Sequence, residues 1–298
     1  VQILVNHGYV VGFSPDRLQP AWSAYRVAHA DDDVDYDRPL SYYDDMRLEE
    51  SCRIGRKTFG RLGGISLNVG HMTPNEVINR QFGRLAQMET FLMSNMSPQY
   101  ASLNQGVWLK LEDAIREIED EPGKDHVWAI VGPIFGKAPP LIDRGAGRHL
   151  PVPESYFCIV VDPHSYPYDT PSKVDFDCFV IPQDSPRESA PEDYPSTVEE
   201  IERLTNLHFF DSWGRETPVG STASARRRSA PSRLQKVLRR QKSEVELVGT
   251  PEYRQARMNA GTIDELIDIL TSEAERIRSA GRGLSESELD RLRTIQHT

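Results

Sequence analysis

The apolar runs of this sequence are all of strand length. Its two most apolar windows, Val127–Phe135 and Tyr156–Val161, fall well short of the roughly 18–20 residues that a membrane-crossing helix needs. No membrane partner is expected, and the core has to be assembled from many short elements. Ile3–Phe13 and Trp22–Val27 are further β-rich runs, separated by a Ser-Pro-Asp turn, and Asp177–Ile181 is another bounded by turn residues. Helical patterns lie between them. Asn104–Glu119 carries Val107, Trp108, Leu111, Ile115 and Ile118 on one face with Asn104 as a candidate N-cap; a helical stretch spans Val77–Phe91, and Thr197–Thr205 is a shorter one. The mixture reads as α+β rather than doubly wound. Cys52, Cys158 and Cys178 are too few for a disulfide framework, and no C-x-x-C pair suggests structural zinc.

Charge divides the 298 residues. Residues 1–213 hold 19 Lys+Arg against 33 Asp+Glu, net −14, whereas residues 214–298 hold 16 against 12, net +4. The first part is long enough for one domain with a full core. After it, 214–232 contains the Gly/Ser/Pro/Ala-rich stretch ETPVGSTASARRRSAPS and reads as a flexible linker. Residues 233–298 read as a helical C-terminal extension. Leu234–Val248 is one helix, and Ile263–Ile277, with Thr262 as N-cap and Glu265 three residues on, is another. The apolar face of the latter predicts docking, and with it a homodimer or a larger assembly. The chain begins at Val rather than Met, so a leader or an upstream domain is left open, and with it a secreted or periplasmic location. The cytoplasm is the default expectation.

Three polar blocks follow in order. Asn68-Val69-Gly70-His71-Met72-Thr73-Pro74 comes after an extended Gly63–Leu67; Ser94-Asn95-Met96-Ser97-Pro98-Gln99 comes some twenty residues later; Leu103-Asn104-Gln105-Gly106-Val107-Trp108 leads on to Glu112 and Arg116. Taken singly, each has a plain structural reading. A histidine beside Gly and Pro is a turn residue, Asn104 caps a helix, Glu112 and Arg116 form an exposed i,i+4 ion pair, and Trp108 is core.

Taken together, in this order and spacing, the blocks resemble the endonuclease G-like, ββα-metal-finger family of non-specific DNA/RNA endonucleases. The family pattern is D-R-G-H-M-A-P, then S-N-x-x-P-Q, then L-N-x-G-x-W-x-x-L-E. Further matches at Leu4–Tyr9, Val131–Phe135, Val180–Gln183 and Ile201–Phe210 extend the resemblance over residues 3–211. It implies a ββα finger on a mainly antiparallel central sheet flanked by helices, and Mg²⁺- or Mn²⁺-dependent hydrolysis of DNA and RNA. Carried over by position, His71 is the general base, Asn104 the single direct protein ligand of the metal, Glu112 a water-orienting carboxylate and Arg116 a site cation. Asn95 supports the loop or the substrate.

Elementary chemistry agrees with those roles. A neutral imidazole suits proton abstraction from water near neutral pH, and a hard cation that keeps most of its waters needs few protein oxygens. The acidic balance is not an objection, because a local basic cleft can hold a phosphate backbone on an acidic domain. One departure matters: Asn68-Val69 stands where the family has Asp-Arg, so the arginine understood to clamp phosphate is missing. Arg38, within RPLSYYDD, and Arg80 and Arg84 are the candidate replacements. The departure keeps two alternatives open, a weakened nucleic-acid-binding pseudo-nuclease and a nuclease subunit of a regulated, for example defence, assembly.

Overall fold

The computed structural model describes residues 1–28, 36–118, 126–163, 174–210 and 231–248. In chain order the first half comprises β1 (Gln2–Val5), β2 (Tyr9–Ser14), β3 (Gln19–Val27), β4 (Arg61–Leu62), β5 (Ile65–His71), α1 (Asn75–Thr90), β6 (Met96–Tyr100), α2 (Ala101–Asn104) and α3 (Val107–Glu117). The second half comprises β7 (Val127–Ile134), β8 (Leu141–Asp143), β9 (His149–Pro151), β10 (Ser155–Pro163), β11 (Val174–Pro182), β12 (Pro195–Ser196), α4 (Val198–Thr205) and α5 (Arg233–Val248). Seven strands form an antiparallel sheet in the order β1-β2-β3-β7-β10-β11-β12, while β4-β5-β6 form a smaller sheet and β8-β9 a hairpin. This is the α+β architecture expected, with a central antiparallel sheet flanked by helices.

The strand-length apolar runs become the middle of that sheet. All nine residues of β10 are buried, since both faces of the strand are covered. On one face Phe157, Ile159 and Val161 pack in a cluster with Val198 and Ile201 of α4. On the other, Tyr156 lies tilted against Trp108 of α3 at 5.6 Å between ring centroids, and its hydroxyl reaches Ser97 Oγ (2.7 Å) and donates to the Pro98 carbonyl (2.9 Å). A buried tyrosine needs such partners, and these tie α3 and β6 to the central sheet. Cys158 and Cys178 lie buried in the core, and Cys52 is partly buried. Among the described residues no helix is long and apolar enough to cross a membrane.

Two compact units are present, Val1–Gln235 and Lys236–Thr298. The helix expected over 234–248 is α5, and its first turn belongs to the first unit. Ser232 caps it by accepting from the Gln235 amide (3.1 Å) and donates to Asp177 (2.6 Å), while Arg233 pairs with the buried Asp162 (Nη2–Oδ1 2.5 Å). The end of the expected linker is thus anchored to β10 and β11. Most of that linker and the expected Ile263–Ile277 helix lie outside the described residues.

A buried carboxylate steadies the segment that precedes β4. Asp45 accepts from Arg47 Nε (2.8 Å), Arg47 Nη2 (2.7 Å) and Ser94 Oγ (2.6 Å). Burial raises its pKa, but the hydrogen bonds from Arg47 and Ser94, with the Arg47 charge, outweigh this and hold it below the ordinary value. A depressed folded-state pKa stabilises the protein above the unfolded-state value, near 3.9, and that stabilisation is lost as pH falls through the folded-state value. Asp45→Asn is therefore expected to cost about 1–3 kcal/mol in urea unfolding at pH 7, the range for an unsatisfied buried partner. The difference from the parent should shrink below pH 4. An equal loss at pH 3 and pH 7 would contradict the assignment.

Candidate active site

His71 closes β5, and its position follows from the pairing with β6, where Asn68 faces Gln99, Gly70 faces Ser97 and His71 faces Met96. Its ring meets Phe91 edge-on at 4.9 Å between centroids, with Tyr42 at 6.4 Å. The turn beyond it is held by Asn95, whose carboxamide accepts from the Thr73 amide (2.9 Å) and donates to the Thr73 (2.9 Å) and Thr90 (3.0 Å) carbonyls. Asn95 is fully buried with these valences filled, so it braces the loop and does not reach into the cleft. His71 Nε2 is buried and makes no hydrogen bond among the described residues, which leaves Nδ1 as the ring nitrogen towards the cleft. Burial, and then the Arg38 charge, lower its pKa to about 3, so the ring is neutral at physiological pH.

The expected continuous helix from Asn104 is broken, which corrects the reading of Asn104 as its N-cap. Asn104 is the last residue of α2, and α3 starts at Val107 after Gly106, at φ −120° and ψ −116°. A Cβ on Gly106 would lie 2.2 Å from the Ser102 carbonyl oxygen, so the break needs glycine there for want of space. Asn104 is then clamped by two side chains that sequence reasoning passed over. Asn68 Nδ2 donates to its Oδ1 (2.9 Å), and its Nδ2 donates to Gln99 Oε1 (2.6 Å). Gly70 makes this possible, because a Cβ there would sit 2.1 Å from the same Gln99 oxygen. The signal that could have found the pair is cross-strand: Asn68 and Gln99 stand opposite each other in the register.

Glu112 and Arg116 come from α3. Trp108 is core as expected, but its Nε1 also donates to Glu112 Oε1 (3.1 Å) and so orients the carboxylate. Enclosure by protein is the main reason that the Glu112 pKa is raised to about 8, with Trp108 and Arg38 opposing it and Asp113 and Glu76 adding to it. Arg116 pairs with Asp113 (3.4 Å) and Glu76 (3.7 Å), not with Glu112. A cleft of about 230 Å³ brings His71, Asn104, Glu112, Arg116, Arg38 and Val69 to one place. Arg80 and Arg84 do not line it. Arg84 donates to the Asp37 carbonyl and to Gln87 Oε1 (2.6 Å), and α1, which carries both, is kinked at Gly83 (φ +77°). Of the three candidate replacements, Arg38 alone is at the cleft, with its guanidinium 5.2 Å from the Phe91 ring centroid.

The donor set suits a hard cation. Asn104 Oδ1 uses one of its two lone pairs on Asn68, and the nearby Glu112 carboxyl, which burial keeps protonated near neutral pH, would ionise beside a bound cation. Among the described residues no group of three or more His, Cys, Asp or Glu side chains is gathered in a way that could hold a metal.

A histidine at the end of one strand of a paired β5–β6, and an asparagine on the helix that follows, facing one cleft, define a ββα type of centre. The chain belongs to the DNA/RNA non-specific endonuclease family, whose model matches residues 1–216. It is 23% identical over 210 residues to a nuclease of Serratia marcescens, covering 68% of this chain and 73% of that one. It is 24% identical over 217 residues to human mitochondrial endonuclease G, covering 70% and 69%. Its fold is similar to that of the solved EndoG/EndoGI complex, with a TM-score of 0.56, 21% identity, and coverage of 72% of this chain and 87% of that one.

Proposed function

We propose that the chain is a divalent-cation-dependent endonuclease that hydrolyses the phosphodiester bonds of DNA and RNA. The observation that carries this reading is the juxtaposition of a neutral, buried His71 with Asn104, Glu112, Arg116 and Arg38 around one cleft. In this mechanism His71 Nδ1 takes the proton of the attacking water as its oxygen bonds to phosphorus and the bond from phosphorus to the 3′ oxygen breaks, the departing 3′ oxygen taking a proton from solvent. Asn104 Oδ1, with the Glu112 carboxylate beside it, would hold Mg²⁺ or Mn²⁺. Such an ion supplies positive charge to the phosphate and to the leaving 3′ oxygen. Asn68 and Gln99 keep the Asn104 carboxamide turned towards the cleft, and Arg38 and Arg116 bind phosphate oxygens. Backbone atoms are engaged rather than base edges, which accounts for the absence of sequence choice.

A plasmid-nicking assay tests the reading directly. Cleavage is expected in Mg²⁺ and is expected to vanish in excess EDTA, and Asn104→Ala should raise the Mg²⁺ concentration needed for half-maximal rate. Full cleavage in chelator would refute the metal assignment. A folded parent that binds DNA without cutting it would establish the pseudo-nuclease alternative, which rests on Val69 occupying the place of the family arginine.

A further inference from the structure

We propose that residues 53–61 and the β8–β9 hairpin form a basic track that carries the phosphate backbone of the substrate beyond the cleft. The proposal rests on the nuclease reading and adds the path of the nucleic-acid strand outside the reacting centre. Segments 53–61 and 141–151 hold Arg53, Arg56, Lys57, Arg61, Arg144 and Arg148 against a single acid, Asp143, within a region whose net charge is −14 over residues 1–213.

What these cations bond to is the informative point. Arg144 donates to the carbonyls of Ile54 (3.0 Å), Gly55 (3.3 Å), Lys57 (2.9 Å) and Thr58 (2.8 Å), and Arg148 to that of Arg53 (2.6 Å). Arg53 donates to the Leu48 carbonyl (2.9 Å) and Arg61 to that of Gly64 (2.6 Å). Carbonyl partners fix a guanidinium in place without cancelling its charge. Among the described residues none of the six cations forms an ion pair with a carboxylate. Arg144 feels the consequence, because burial and then the Arg148 charge press its pKa below the ordinary guanidinium value. Arg56 and Lys57 stand exposed at the surface of this lobe.

The lobe is continuous with the cleft. Ile54 and Phe59 pack in one apolar cluster with Val69, which lines the cleft wall, and the Leu67 amide donates to the Gly60 carbonyl (2.9 Å). Arg61 pairs with Ser66, five residues before His71 along β5, which is roughly 17 Å of strand. That distance corresponds to about five phosphates of one duplex strand. Un-neutralised cations at such a distance from the reacting centre, four of them held by carbonyls, fit a polyphosphate backbone, whose affinity comes from counterion release.

The double variant Arg56→Ala/Lys57→Ala tests this, since neither side chain is used in the reaction centre. Binding of a 30-base-pair duplex in EDTA, followed from 50 to 200 mM salt, should show a slope of log affinity against log salt that is shallower by about 2, at roughly 0.9 per phosphate contact. In Mg²⁺ the KM for plasmid should rise severalfold, while kcat/KM for a trinucleotide that reaches only the cleft should stay at the parental value. An unchanged salt slope would overturn the track, and so would an equal loss on the trinucleotide. If the parent cuts neither substrate, the nuclease reading fails by itself, and the duplex-binding slope still decides the track.

Discussion

His71→Ala is expected to lower cleavage by about 10²–10⁴-fold, the range for loss of general-base catalysis, with the thermal unfolding midpoint little changed. Little change in stability is expected because the ring's buried Nε2 makes no hydrogen bond among the described residues for the substitution to break. The same environment sets the pH dependence. With the pKa lowered to about 3, the free enzyme carries an unprotonated base from pH 5 upwards, so kcat/KM should show no acid limb near 6.5, where an ordinary imidazole titrates; a limb towards pH 8 would belong to the Glu112 carboxyl, whose pKa burial raises to about 8. A folded His71→Ala variant that cuts at the parental rate would remove His71 from the mechanism. A limb at 6.5 would show the ring to be solvated in the working enzyme.

The parts of this molecule that were legible in its sequence are those fixed by local pattern. The apolar run at Tyr156–Val161 signalled a strand, now β10, and the 3.6-residue spacing of Val107, Trp108, Leu111 and Ile115 marked the inner face of α3. Features that depend on register or crowding were not legible. Periodicity carried the helix back to Asn104, yet the chain breaks at Gly106, where the nearness of the Ser102 carbonyl leaves room only for glycine, and no periodicity records that crowding. Likewise Asn68 and Gln99 lie 31 positions apart and meet only through the pairing of β5 with β6. The anchoring of α5 belongs to the same class: Ser232 and Arg233 look like linker and helix start, and they become fixed points only against Asp177 and Asp162.

The candidate site divides along the same line. The residues placed by resemblance, His71, Asn104, Glu112 and Arg116, do share one cleft. The continuous helix that the spacing predicts over Asn104–Glu119 is not what brings Asn104 and Glu112 together. They converge instead because α2 and α3 turn on Gly106 while Asn68 and Gln99 hold the Asn104 carboxamide. The resemblance named the candidates, and side chains from the neighbouring strands decide how Asn104 points.

Arg38→Ala should lower kcat/KM by about 10²–10³-fold, comparable to removal of one preorganised donor to a transition-state oxygen. The reason lies in Val69. Its side chain packs with Leu67, Ile54 and Phe59 at 8% exposure, so the strand position that holds an arginine in the family is here part of an apolar cluster. The cationic contact has to come from another element, and Arg38 reaches the cleft from the segment that Asp45 and the backbone pairing of Tyr43 with Phe91 hold in place. Arg38→Lys should restore only part of the rate, because an ammonium supplies the charge but not two parallel hydrogen bonds to one phosphate. A second readout separates this role from general damage. Since the Arg38 charge helps to lower the His71 pKa, Arg38→Ala should raise it, and an NMR titration of the His71 ring would register the change. Because Val69 also lines the cleft, an arginine there can reach phosphate, so Val69→Arg in the parent should add little activity beside Arg38 and cost some stability by taking the valine out of its cluster with Phe59 and Ile54. In the Arg38→Ala background the same substitution should recover cleavage if the two positions serve one clamp. Parental rates for Arg38→Ala, with an unmoved His71 titration, would show that phosphate is held by other residues.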